Sequence, residues 1–154
     1  MNTPATPPTL TEMKLPAQMK DLINKALDKA RPIAVAYVSA DGRPELSFRG
    51  SVQPYGDSQL AIWVRNPEGG MHSGILKNPN VTLLYGDMTP DSRAFLTFRG
   101  KARFDSSDSA RRTVYDNSHP LERDRDKERK GLALIIDLDS IDGFMPGAMV
   151  KIRR

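Results

Sequence analysis

Two arginines and one glycine-rich turn are the residues whose types and spacing could do chemistry. Arg49 lies in the alternating stretch Leu46–Val52, and Arg65 ends the apolar run Leu60–Arg65, which leads into Asn66-Pro67-Glu68-Gly69-Gly70-Met71-His72-Ser73. A guanidinium offers a fork of donors to a phosphate or carboxylate. Glycines let backbone approach a ligand closely, and the first amides of a helix opening at Met71 have no partner within the helix and attract anions. The combination describes a corner that could hold a phosphate. Two glycines after a strand are also the ordinary composition of a β-to-α turn, and the pattern alone leaves both readings open.

Other chemistries are excluded or left without residues. The chain has no cysteine, which removes disulfides, thiolate zinc sites and thiol nucleophiles together. The two histidines, His72 and His119, lie far apart with no carboxylate or cysteine pattern around them, so no metal site is expected. No Gly-x-Ser-x-Gly elbow, Walker loop or dinucleotide fingerprint is present, and no carboxylate pair is spaced to act as acid and base. Any reaction would have to be carried by a bound cofactor.

The elements that must position these residues follow from periodicity. Residues 1–15 read as a flexible arm. From Pro16, apolar residues at Met19, Leu22, Ile23, Ala26, Leu27 and Ala30 recur at helical spacing, and Pro32 ends the helix. Ile33–Ser39 reads as a central strand, followed by the hairpin signal Asp41-Gly42. Leu46, Phe48, Gly50 and Val52 then point one way and Glu45, Ser47, Arg49 and Ser51 the other, so Arg49 shares its face with two hydroxyls. After a short helix over Met71–Lys77 come the strand Val81–Tyr85 and a long strand ending at Phe104, with Gly100 where a barrel would bend. Ser106–Tyr115 reads as a capped helix, Glu122–Lys130 as a solvated charge run, and Leu132–Leu138 as a final buried strand. The expected organisation is a domain over 16–144 with a loose tail, or an arm across a partner, over 145–154. The order fits six or so antiparallel strands in a small closed barrel with short helices, a mainly β (α+β) class.

The length of 154 residues suits one domain. A formal charge of +4 and a pI near 9.5 favour anionic partners, which a phosphorylated small molecule satisfies as well as a nucleic acid does. A nucleic-acid reading would rest on Arg93, Arg99, Lys101 and Arg103, with Phe95 the one aromatic between them. No stretch is long and apolar enough to span a membrane, and the first residues lack the pattern of a signal peptide, so a cytoplasmic protein is expected.

In their order, the blocks "IAVAYVSADGRPELS", "FRGSVQPYGDSQLAIWVRNPEGG", "KNPNVTLLY", "LTFRGKARF" and "KGLALIIDLDSIDGF" resemble the pyridoxamine 5′-phosphate oxidase-like family of flavin-binding split barrels. The resemblance implies a six-stranded antiparallel split β-barrel, a homodimer, and one flavin mononucleotide (FMN) in each of two clefts between subunits. It places Arg49, Gly50, Ser51 and Val52 along the flavin, Trp63 and Val64 against it, and Arg65 with Gly69, Gly70, Met71 and Ser73 at the phosphate. It implies an oxidoreductase passing a hydride to or from NAD(P)H or a small organic substrate. A deazaflavin (F420) or haem in place of FMN, and a stress protein that binds flavin without turnover, are the alternatives. Family members that oxidise the vitamin carry Arg-Lys in the turn where this chain has Gly70-Met71, and their late Arg-x-His is absent here.

Overall fold

Runs of alternating or continuous apolar residues, separated by turns rich in glycine, proline and aspartate, form strands that pair chiefly with their neighbours in sequence. The structure is a computed structural model and describes residues 5–154. Its elements are β1 (Thr9–Leu10), α1 (Ala17–Asn24), β2 (Ile33–Val38), β3 (Pro44–Arg49), β4 (Gln53–Pro54), β5 (Gln59–Val64), α2 (Gly70–Lys77), β6 (Asn80–Asp87), β7 (Ala94–Asp105), α3 (Asp108–Asp116), α4 (Pro120–Arg123) with a 3-10 turn over Asp124–Asp126, β8 (Leu132–Met145) and β9 (Ala148–Arg153).

The 14-residue β8 organises the sheet. One of its edges pairs with β7 along nearly its whole length, and the other is shared between β5, opposite Leu132–Asp137, and β9, opposite Ser140–Met145. From β7 the sheet continues through β6 and β2 to β3. β3 and β4 belong to one segment, broken at Gly50–Val52, and β4 pairs with β5, so this segment closes the barrel. Where β7 bends, its register shifts between Arg99 and Gly100. Gly100 is required there, because any side chain would collide with the backbone carbonyl of Asp137.

The interior is one large cluster, to which Met19, Leu22 and Ile23 of α1 contribute from above and Leu60, Ile62, Leu96, Phe98, Leu134 and Ile136 from the strands. A second, smaller cluster lies on the other face of β5 and β8, where Ala110, Val114 and Tyr115 of α3 cover Ala61, Trp63, Ala133 and Ile135. α3 starts where its sequence directs: Ser107 Oγ accepts a hydrogen bond from Ala110 N at 3.2 Å.

The class is the expected one, mainly β with few helices, but several boundaries differ. Residues 9–15 are not a loose arm. β1 pairs in parallel with β9, and Leu15 is buried. Nor is the segment 145–154 a tail: Pro146-Gly147 turns the chain, with Gly147 at φ 81°, and β9 zips onto β8 with Val150 and Ile152 buried. Residues 1–4 of the expected arm lie outside the described residues. The ordered domain therefore extends beyond 16–144 at both ends, with nine strands rather than six and one parallel pair among the described residues. The first helix ends at Asn24 and closes through turns, with Arg31 N bonded to Ala26 O at 2.8 Å. The alternation of Leu46–Val52 holds only as far as Arg49, and its apolar members Leu46 and Phe48 face outward, 73% and 70% exposed.

Candidate functional site

β5 and α2 build the corner that the sequence suggested. Val64, buried, fixes the end of β5, and the chain then turns through Asn66–Gly69 into α2, held to the barrel by buried Met71, Gly74 and Ile75. Gly69 occupies the N-cap in an extended conformation and offers no side-chain cap, so the leading amides of this eight-residue helix have no side-chain partner at the cap. They border a cavity of about 590 Å³ lined also by Tyr37, Arg49, Val64 and Arg65. Arg49 Nε donates to Ser47 Oγ at 3.1 Å, which orients the guanidinium and leaves its other donors for a ligand.

Arg49 also lines a second cavity, of about 370 Å³, together with Gly50, Ser51, Val52, Gln53 and residues of α1 and the α3–α4 connection. The candidate residues thus divide between two adjoining spaces: Arg49, Val64, Arg65, Gly69, Gly70 and Met71 at the corner, and Arg49, Gly50, Ser51 and Val52 at the second. Gln53 stands out there. Its Nε2 donates to Val114 O at 3.0 Å and Ser118 Oγ at 3.3 Å, while its Oε1 is buried without a protein partner. His119, at the rim, accepts from Leu121 N through Nδ1 at 3.1 Å and faces Asp28 through Nε2 at 2.6 Å.

Two of the expected residues are placed differently, and the hydroxyl of a third, Ser51, is already engaged. Trp63 does not line the corner: neighbours on a strand face opposite ways, and Val64 takes the cavity side. The indole instead packs in the second cluster, edge-on to Tyr115 with ring centroids 5.2 Å apart. Ser51 is buried, and its hydroxyl accepts from Trp63 N at 3.0 Å and donates to Trp63 O at 3.2 Å. It substitutes for a ladder rung where β3 breaks from β4. Ser73 is exposed and its hydroxyl donates to Gly70 O at 3.3 Å, away from the cavity.

The site also includes residues that sequence reading missed. Tyr37 continues the Ile33, Val35 side of β2, a signal the alternation already carried. Arg125, Asp126 and Lys130 come from the charge run read as a solvated loop. Asp126 accepts from Trp63 Nε1 at 2.9 Å, Gly131 N at 2.9 Å and Lys130 N at 3.0 Å. Partial burial works against its ionisation, but the hydrogen bonds from Lys130, Trp63 and Gly131 and the charge of Arg65 prevail, holding its carboxyl below the usual range. Gly131 must be glycine, since a Cβ there would lie 2.6 Å from Val64 O. On β7, Arg99, Lys101 and Arg103 pair with Asp142, Asp139 and Asp137 of β8 at 3.3, 3.6 and 3.0 Å, which neutralises much of the row considered for nucleic acid.

A barrel closed by β4 on β5, with a cavity where the end of β5 meets the start of α2, defines the class of small split barrels. The chain belongs to the pyridoxamine 5′-phosphate oxidase family, whose model matches residues 18–137. Solved structures with the same fold include HupZ from Group A Streptococcus, with a TM-score of 0.66 at 19% identity over 87% of this chain and 97% of that one. General stress protein 26 from Bacillus anthracis gives 0.61 at 19% identity over 82% and 94% of the two chains. A relative of general stress protein 26 from Clostridium acetobutylicum gives 0.61 at 10% over 87% and 95%. No curated protein matches the sequence. Among the described residues, no helix is long and apolar enough to cross a membrane.

Proposed function

We propose that the protein binds FMN as a homodimer and works as an oxidoreductase that moves a hydride between the flavin and a nicotinamide or small organic partner. The observation that carries this reading is the convergence of the α2 start, Arg49 and Arg65 on one cavity. The residues fit the group. The corner would take the terminal phosphate, Val64 and Met71 would contact apolar parts of the ligand, and Arg49 would span the two cavities. In the adjoining space, the unpartnered Gln53 Oε1 would accept an N–H from the ring. Bound flavin supplies two-electron redox chemistry, and the chain's part is to bind, orient and shield it.

Dimerisation is supported by an outward apolar face on β2, β3 and β6, where Leu46, Phe48 and Leu84 are 73%, 70% and 45% exposed. Because Arg49 follows Phe48 on β3, a second copy seated on this face would stand beside the cavities. The Gly70-Met71 turn argues against pyridoxine-phosphate oxidation as the activity.

Titration of the purified chain with FMN tests the reading. FMN is expected to raise the melting temperature and to lose fluorescence on binding, since a ligand of the folded form stabilises it. Loaded protein mixed anaerobically with NADH or NADPH should lose its yellow absorption. Absence of any FMN effect at saturation would sink the proposal. A larger shift with F420 or haem would reassign the cavity, and retained colour with both nucleotides would leave a flavin carrier without this turnover.

A further inference from the structure

Gly70-Met71 leaves the phosphate corner short of cations on the α2 side. We propose that Arg125 and Lys130 of the charge run supply them, meeting the ligand's phosphate in the same cavity, and that the Trp63–Asp126 hydrogen bond is the latch that holds them there. This rests on the FMN reading above. Both cations line the same cavity as Arg49, Arg65 and the α2 start, and the loop that carries them is built rather than frayed.

Asp126 gathers three N–H donors, two of them from the loop's own end and one from the indole of β5. Arg111 of α3 donates to Arg129 O at 2.7 Å and Gly131 O at 3.2 Å. Arg129 lies over the Tyr115 ring at 4.4 Å and takes φ 55°, a left-handed turn that reverses the chain before β8. The outcome is a short loop pinned at its middle and its end, with Arg125 and Lys130 on either side of the pin.

Asp126 borders the cavity too and stays ionised; its oxygens accept from three N–H donors and Arg65 is its charged neighbour, which leaves Arg125 and Lys130 as the loop's cations for the phosphate. Lys130 Nζ meets Glu128 at 2.8 Å, both side chains 73% exposed. Exposed pairs of this kind contribute little and exchange readily for a dianionic phosphate.

The test compares FMN with riboflavin, which has the same ring and no phosphate, by fluorescence titration of the full chain. Arg125→Ala with Lys130→Ala should weaken FMN about tenfold or more, as expected for lost charge-assisted contacts, and leave riboflavin unchanged. Trp63→Phe, which removes the indole N–H while keeping an aromatic packing body, should lose part of the same FMN preference. If the double variant binds FMN as wild type does while Arg65→Ala weakens it, the inference is overturned and the flavin reading survives. Equal weakening of both ligands would mean the loop is only structural and would also overturn it. Failure of wild-type protein to bind FMN removes both.

Discussion

Ser51 spends its hydroxyl on both backbone groups of Trp63, at a point where the strand is interrupted and no ladder bond is available. Ser51→Ala should therefore cost about 1–3 kcal/mol, the range for leaving buried polar groups unpaired, read as a lower urea midpoint with an unchanged slope. Asp87 makes a prediction of a different kind. Its carboxylate accepts from Thr89 N at 2.8 Å, Ser92 Oγ at 3.0 Å and Arg31 Nε at 3.4 Å. The Thr89 backbone bond, then the other hydrogen bonds, hold its carboxyl well below the ordinary range against the opposing effect of burial. Asp105, Asp126 and Asp137 are shifted in the same direction. On acidification the unfolded chain takes up protons before the folded one does. The stability these groups give is present at neutral pH and is lost as pH falls from roughly 5 through the folded values. Melting temperatures measured over that range should drop steeply for wild type. Asp87→Asn should start lower at neutral pH and fall less.

At the scale of elements, β9 carries the clearest consequence. Ile152 has no exposed surface and belongs to the main cluster, so Ile152→Ala should destabilise by about 2–5 kcal/mol. If this segment were a tail, the substitution would be silent in denaturant unfolding. The signal for β9 was legible: Ala148, Val150 and Ile152 alternate with Met149, Lys151 and Arg153 behind a Pro-Gly turn. The mixture of cations and methionines obscured it. β1 had no such signal, because two residues pairing in parallel leave no periodicity to read. The central strands and the bend at Gly100 were legible because apolar runs and turn residues act locally. The site was half legible for the same reason. The glycine turn, Arg49 and Arg65 are neighbours in local structure, whereas Arg125 and Lys130 reach the corner through tertiary contacts, those of Asp126 with Trp63 and of Arg111 and Tyr115 with the loop's end. Assigning Trp63 and Val64 together to one cavity conflicted with strand alternation, which sends adjacent residues to opposite faces.

Across the whole molecule, the feature that the single chain leaves unexplained is the outer face of β3, β2 and β6. Phe48, Ala34 and Leu84 stand in one cross-strand row and Leu46 beside Ala36 in the next. Two large side chains on an edge strand, each more than two-thirds exposed, form an adhesive face that a solitary protein would pay for in solubility. Covering by a second copy, as proposed above, would remove that burden and would place the copy next to Arg49. Phe48→Lys adds a charge where the ring now meets solvent, so the barrel should fold unchanged by far-UV circular dichroism. Light scattering should give twice the chain mass for wild type and a single chain for the variant. Because Arg49 and its cavities adjoin this face, the monomeric variant should also bind FMN less tightly. A dimer that survives Phe48→Lys, and likewise Leu46→Lys, would mean that copies meet elsewhere. FMN binding by a clean monomer with wild-type affinity would mean that one chain completes the corner alone.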